Sequence, residues 1–127
     1  MHSCPFCEKI ERHEVCLEKE LAVAFFDAFP VNEGHTLVVP RRHESNFFSL
    51  TEAEESAVWH AVRVVQEQLE ARYAPAGYNV GVNVGDAGGQ TIEHVHVHVI
   101  PRFAGDVDDP RGGIRWIIPA RARYWKE

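Results

Sequence analysis

Two spacings of apolar residues divide the chain. A period of two, the mark of a strand with one buried face, runs through Tyr78, Val80, Val82 and Val84 and again through Val95, Val97 and Val99. Leu21 to Phe26 (LAVAFF) is a short unbroken apolar run, which fits a buried strand. His35 to Val39 is the next strand, stopped by Pro40. Pro30, Asn32 and Gly34 form the turn between them, so the pair reads as an antiparallel hairpin with a long loop. Val15 to Leu17 offers a first strand, and Cys4 to Glu11 a short turn or helix. The period changes at Val58, Val62, Val65 and Leu69, which follow helical spacing while Glu55, Arg63, Glu67 and Glu70 fall off the stripe. Thr51 with Glu54 has capping-box spacing, and Pro75 and Gly77 end this helix. Arg41 to Leu50 is a connection. These elements predict an α+β fold, a mostly antiparallel sheet with one main helix packed on one face and polar chemistry on the other. Beyond Phe103, Arg111-Gly112-Gly113 predicts a turn. Trp116, Ile117 and Ile118 predict a last apolar segment against the domain or a second subunit.

Composition narrows the class. The 127 residues suit one domain with a real core. The net charge of −6 makes nucleic acid a poor partner, because duplex binding rests on Lys and Arg neutralising phosphates. A small phosphorylated ligand stays open. No apolar stretch is long enough for a membrane span, and the start Met1-His2-Ser3-Cys4-Pro5 lacks the features of a signal peptide. A cytoplasmic protein without a membrane partner is expected. Three cysteines, Cys4, Cys7 and Cys16, argue against a disulfide framework.

The chemistry concentrates in His94-Val95-His96-Val97-His98-Val99, which as a strand sets three imidazoles on one face and three valines on the other. A surface coincidence, a metal site and nucleophilic catalysis are the three readings. The preceding loop, Gly85 to Thr91, has glycines that allow backbone N–H groups to turn toward one point, an arrangement suited to phosphate. Asn83 is expected on the histidine side of its strand. Cys4-Pro5-Phe6-Cys7 reads either as a redox pair or as half of a metal site. His2, His13 and His60 show no evident partner, and Cys16 reads as a small buried residue.

The run Gln90 to Ile100 (QTIEHVHVHVI) resembles the signature of the histidine triad (HIT) superfamily, His-φ-His-φ-His-φ-φ with φ apolar. Phe26-Asp27, the segment Gly34 to Pro40, Asn83 and Gly88-Gly89 extend the resemblance, which covers residues 4–102 of a single domain and leaves 103–127 as a C-terminal segment. The resemblance implies a nucleotide hydrolase or transferase acting at an α-phosphate. His96 would attack phosphorus to form a covalent nucleotidyl-histidine, and water would release the mononucleotide. His98 and His35 would hydrogen-bond the phosphoryl or bridging oxygens. Asn83, Gly89, Gln90 and Thr91 would contact phosphate, Asp27 would bind the ribose hydroxyls, and Phe26 and Ala28 would flank the base. Crowded imidazoles disfavour one another's protonation, in keeping with an uncharged nucleophile. Related transferases and phosphorylases commonly carry glutamine where this chain has His98, so a hydrolase is implied. Residues 90–102 are similar to the fragile histidine triad branch, which cleaves dinucleoside polyphosphates such as diadenosine tetraphosphate. A nucleoside phosphoramidate hydrolase, a nucleotide-binding module without turnover and a zinc hydrolase are the alternatives. The N-terminus looks like that of bacterial members that hold structural zinc, with Cys4, Cys7, His43 and His94 as the implied ligands. A homodimer is also implied, with weak support from the apolar Trp59 and Trp116. Trp125 and its neighbours depart from the resembling branches.

Overall fold

The predicted hairpin and the two valine strands join into one sheet. In the computed structural model, which describes residues 3–126 and so leaves His2 outside, the strands are β1 (Leu17–Glu18), β2 (Ala22–Phe26), β3 (Thr36–Pro40), β4 (Gly77–Val82) and β5 (Val97–Arg102). Their order is β1-β2-β3-β5-β4, with every neighbouring pair antiparallel. Helix α2 (Glu52–Tyr73) covers one face. Its buried stripe is Val58, Ala61, Val65 and Leu69, against Ala22, Ala24, Val38, Val95, Val97 and Val99. Val62, expected on that stripe, is only partly buried, and Ala61 takes the close contact. The α+β architecture expected from the pattern, a mostly antiparallel sheet with one main helix on one face, is therefore the one observed.

The opposite face carries an apolar layer as well as the expected polar chemistry. A short helix, α1 (Pro5–Glu11), lies over it and seals a second apolar core of Phe6, Val23, Phe25, Leu37 and Val39. Val23, Phe25, Leu37 and Val39 are the alternate residues of β2 and β3, which a strand must send to the other side. The first strand is also shorter and later than Val15 to Leu17. The histidine strand begins three residues later than expected, at Val97. The physical reason is that Val95 N–H leaves the sheet and donates to the Glu44 carbonyl at 2.7 Å. His94 and His96 thus sit on an extended lead-in, ahead of the ladder. His13, expected to lack a partner, meets the Glu18 carboxylate at 3.0 Å on the surface, and Cys16 is partly buried against the α2 core.

Past β5 the chain folds back over the histidine side of the sheet. Asp106 anchors it, accepting from Arg102 at 2.8 Å and from the Asn32 amide at 2.7 Å. The 3₁₀ turn Gly113–Ile117 then lies against β4, where Gly81 leaves room for the Ile114 side chain. Gly112 has φ +96°, and a Cβ there would come within 3.2 Å of Trp116 and 3.3 Å of Trp125. Arg111 stacks 4.6 Å from the Trp125 ring centre and Arg115 4.7 Å from that of Tyr124. The last turn of helix is α3 (Pro119–Ala122). Among the described residues no helix is long and apolar enough to cross a membrane.

The predicted capping box is present in full, with Thr51 Oγ1 accepting from Glu54 N–H and the Glu54 carboxylate accepting from Thr51 N–H. Glu54 also holds the 41–50 connection, through a two-bond grip on Arg42 at 2.8 and 2.9 Å. Arg42 and the Thr51 backbone hold the Glu54 carboxyl down at about 2, from an ordinary 4.5. A depressed carboxylate stabilises the fold above its unfolded pKa and loses that contribution as pH falls through the folded one. Glu54→Gln is therefore expected to cost about 1–3 kcal/mol in urea denaturation at pH 7, the range for a buried hydrogen-bonded charge. The gap to wild type should close as pH falls from 4.5 toward 2. A pH-independent gap would contradict the assignment.

Candidate active site

Strand register assembles the site. Leu37 of β3 and Gly81 of β4 both flank His98, so side chains on this face from three strands share one neighbourhood. Asp27 and Ala28 follow β2, and Asn83 follows β4, with its side chain 4.0 Å from where a Cβ on Gly89 would stand. The cavity they enclose has a volume of about 390 Å³ and is lined by Asp27, Ala28, Asn83, Gly89, Thr91, His96 and His98 among the expected residues. The sequence reading missed its apolar wall of Pro5, Phe6, Phe25, Leu37 and Ile92, and its cation, Lys9.

Backbone groups determine which nitrogen of each imidazole carries the proton. A carbonyl only accepts and an amide N–H only donates. His96 Nδ1 lies 2.8 Å from the His94 carbonyl, so Nδ1 is protonated and the Nε2 lone pair is unspent. Val31 N–H donates to His35 Nδ1 at 3.0 Å, so neutral His35 carries its proton on Nε2. That proton faces His98 Nδ1 at 2.9 Å, with the Asp27 carboxylate farther off at 3.4 Å. His98 Nδ1 then accepts, and His98 Nε2 is left as a donor. Burial, helped by nearby His96 and His35, pushes His98 down to about 4. Burial lowers His35 too, against the pull of Asp27. The site therefore presents one acceptor nitrogen, His96 Nε2, beside one donor, His98 Nε2–H.

Asp27, His35 and His98 are close enough to be considered as a metal site. The tautomers argue against it: His35 Nε2 bears a proton and His98 Nδ1 accepts it. This removes the support for a zinc-dependent hydrolysis centre at these residues.

Three expected contacts change. His35, expected on the phosphoryl oxygens, does not line this cavity and gives its Nε2–H to His98. Phe26 faces away from the cavity, toward α2, where Arg72 lies 5.9 Å from its ring centre. Phe25 takes the wall position. Alternation explains the exchange, because Phe25 pairs with Leu37, which pairs with His98. Gln90 does not line the cavity. Its amide donates to the Ser45 and Ile92 carbonyls and accepts from Gly85 N–H, bracing the loop. The loop is also a poorer anion cradle than its glycines promised: Gly88, Gly89 and Gln90 N–H groups all donate back to loop carbonyls.

His94 takes no side-chain part in the cavity. Its Nε2–H donates to the Pro40 carbonyl at 2.9 Å, turning Nδ1 toward Cys4, Cys7 and His43. Nδ1 of His94 lies 3.2 Å from His43 Nδ1, 3.5 Å from Cys4 Sγ and 3.6 Å from Cys7 Sγ, and Cys7 Sγ lies 3.4 Å from His43 Nδ1. Tetrahedral zinc, at about 2.3 Å from sulfur and about 2.05 Å from nitrogen, sets such atoms roughly 3.3–3.8 Å apart. The four side chains fit that ion, and the cluster is one that could bind a metal.

The fold and this arrangement belong to a known class. The HIT domain family matches residues 9–105, and the chain belongs to the histidine triad (HIT) family. It is similar to a solved HIT family protein from Bacillus subtilis, with 32% identity and a TM-score of 0.77 over 83% of this chain and 77% of that one. A zinc-bound histidine triad family protein from Mycobacterium smegmatis matches with 28% identity and a TM-score of 0.75, over 82% of this chain and 78% of that one. The bis(5'-nucleosyl)-tetraphosphatase (asymmetrical) of Schizosaccharomyces pombe is 35% identical over 76% of this chain and 53% of its own length. The family acts on nucleotides, and its relatives include hydrolases of dinucleoside polyphosphates.

The tautomers are directly measurable. Long-range ¹H–¹⁵N spectra at pH 7 are expected to show His96 protonated on Nδ1, and His35 and His98 protonated on Nε2. His98 should gain its second proton only near pH 4. A base whose folded pKa is depressed binds fewer protons than the unfolded chain, so this group lowers stability as pH falls from 6.5 toward 4. An Nε2-protonated His96 would contradict the arrangement.

Proposed function

We propose that the protein hydrolyses a nucleotide at its α-phosphorus through His96, and the observation that carries this is the lone pair of His96 Nε2, held toward the cavity by the His94 carbonyl. Attack by Nε2 forms an N–P bond, and the leaving group departs with the electrons of the broken bond and takes a proton from solvent. Water then adds to phosphorus, the N–P bond returns its electrons to His96, and the mononucleotide leaves as a proton passes to solvent. Two displacements replace one difficult one. His98 Nε2–H hydrogen-bonds the phosphoryl group as charge develops, with His35 holding His98 in register. Asn83 and Thr91 add donors, and Asp27 is suited to accept from ribose hydroxyls. The base lies between Phe6, Phe25, Leu37 and Ile92, with Ala28 at the edge. Dinucleoside polyphosphates are a substrate class supported by the fission-yeast relative, and nucleoside phosphoramidates are the second.

Zinc held by Cys4, Cys7, His43 and His94 would be structural. It would supply cross-links between α1, the 41–50 connection and the histidine strand. The absence of disulfides among the three cysteines suits a reducing compartment such as the cytoplasm. A homodimer joined through α2 and the edge strand β4 suits the exposed Trp59. Trp116 gives less support, since its indole N–H is spent on the Arg111 carbonyl.

His96→Ala is expected to lower kcat by roughly a thousandfold or more, the scale for losing a nucleophile. The fold and nucleotide affinity should survive. Acid-labile ³²P on the wild-type chain after quenching with an α-labelled nucleotide substrate, absent from the variant, completes the test. Unchanged turnover would refute the reading. Cys4→Ser is expected to lose most bound zinc in elemental analysis and to melt at lower temperature. A full zinc complement in that variant would count against the ligand set.

A further inference from the structure

One cation lines the cavity that holds His96, and it stands across the sheet from the histidine strand. Lys9 follows Phe6 by three positions on α1, so the two side chains share a helix face. Phe6 packs on Phe25, with ring centres 5.2 Å apart, and the Lys9 ammonium lies 5.7 Å from the centre of the same Phe25 ring. Phe25 belongs to β2, which β3 separates from β5. Phe25 pairs with Leu37 and Leu37 with His98, so at about 4.8 Å per strand Phe25 stands roughly 10 Å across the sheet from His98. The side chains suited to the phosphate, His98, Asn83 and Thr91, come from the β5 and β4 side. Lys9 therefore faces the opposite side of the cavity, where the base lies.

The ammonium has donors to spare. Among the described residues it makes no hydrogen bond, and the exposed Glu14 carboxylate stands 4.0 Å away. The other charged side chain on the cavity wall, Asp27, is tied to the hairpin turn: Oδ1 accepts from Phe29 N–H at 2.9 Å, and Oδ2 lies 3.4 Å from His35 Nε2. The side chains beside Lys9, Phe6, Phe25, Leu37 and Ile92, cannot accept a hydrogen bond from a base. A lysine ammonium only donates. Guanine and hypoxanthine present two acceptors side by side, O6 and N7, whereas adenine carries at position 6 an amino group that itself donates.

We infer that Lys9 selects the base, taking guanine or hypoxanthine in preference to adenine by donating to O6 and N7. This rests on the placement of a nucleotide in this cavity under the proposed function. Lys9 determines specificity and touches no reacting atom.

The test measures, by calorimetry, the binding of guanosine, inosine and adenosine 5′-monophosphates (GMP, IMP and AMP) and of the free nucleosides. Wild type is compared with Lys9→Met, which keeps the chain length and removes the donor, and with Lys9→Gln, whose amide matches N6 and N7 of adenine. Lys9 is only partly buried, so both variants should fold, which circular dichroism would verify. Wild type is expected to bind GMP and IMP roughly tenfold more tightly than AMP, the scale of one two-acceptor base contact. Lys9→Met should abolish that ratio by weakening GMP and IMP, and Lys9→Gln should turn it toward AMP. An AMP affinity in wild type equal to that of GMP would overturn the inference without recourse to a variant. Equal weakening of all three monophosphates in Lys9→Met, with the nucleosides unaffected, would assign Lys9 to the phosphate and overturn it too. Turnover of the guanosine and adenosine 5′-phosphoramidates separates this inference from the catalytic reading. Selective binding with neither substrate turned over would refute His96 as nucleophile and leave the role of Lys9 standing. Turnover of both with equal kcat/KM and no binding preference would refute the role of Lys9 alone.

Discussion

The site depends on backbone groups that choose which nitrogen of each histidine is protonated. Three contacts do this: His94 with the Pro40 carbonyl, His96 with the His94 carbonyl, and His35 with Val31 N–H. An unconstrained imidazole exchanges its proton between two nitrogens. Here the main chain removes that freedom without using any charged group. The result is one lone pair aimed at the cavity, another aimed at the cysteine cluster, and a neutral relay from His35 to His98. Charged partners would have set the same orientations, but they would also have raised the pKa values and protonated the bases. Neutral backbone dipoles orient the rings, and burial lowers the pKa of His35 and His98.

Sheet register makes those contacts possible. Leu37 opposite His98 brings β3 beside β5, and Asp27 and His35 bracket the hairpin turn, joined by Asp27 N–H to the His35 carbonyl at 2.9 Å. Asn32 ties the same turn to Asp106 and to the Pro101 carbonyl. The tautomer of His35 is thus held by a turn that is itself held by the chain beyond β5. A one-residue slip would invert every side chain of β5. The valine core beneath α2 and the imidazoles above it exclude that slip together.

Much of this was legible in the sequence, for physical reasons that also explain the failures. Long regular spacings identified α2 and its cap, the hairpin and the paired valine strands. The histidine run marked the site, because few other demands place imidazoles at alternate positions, and the roles of His94 and His96 came from the family resemblance that the run carries. Phe25 and Phe26 could not be told apart by composition, yet the pairing of Phe25 with Leu37 and of Leu37 with His98 contains the answer. Gln90 misled because a polar side chain in a glycine loop can serve either a ligand or the loop. Its choice depends on Ser45, which lies far away in sequence. Helix α1 was read as a short turn or helix, but its second core was hidden, since Phe6 stands alone in its segment and finds its partners only in three dimensions.

The histidine triad spacing acquires a mechanical meaning from this geometry. His94 joins two sites through one residue: its ring belongs to the cysteine cluster and its carbonyl orients His96. Phe6 fills the corner between them, its ring centre 5.9 Å from that of His94 and 5.0 Å from that of His96. Cys4 caps the helix that carries Phe6, and its sulfur accepts from Cys7 N–H at 3.4 Å. Any force that fixes the cysteine cluster therefore acts on His96 twice, through the His94 backbone and through the packing of Phe6. An i, i+2 spacing is what permits this, because it gives the two rings the same face while leaving the intervening carbonyl within reach of the second. Shifting His94 by one residue would turn its ring into the valine core, and shifting it by two would take its carbonyl out of range. The alternation is a requirement of the coupling between the cysteine cluster and His96.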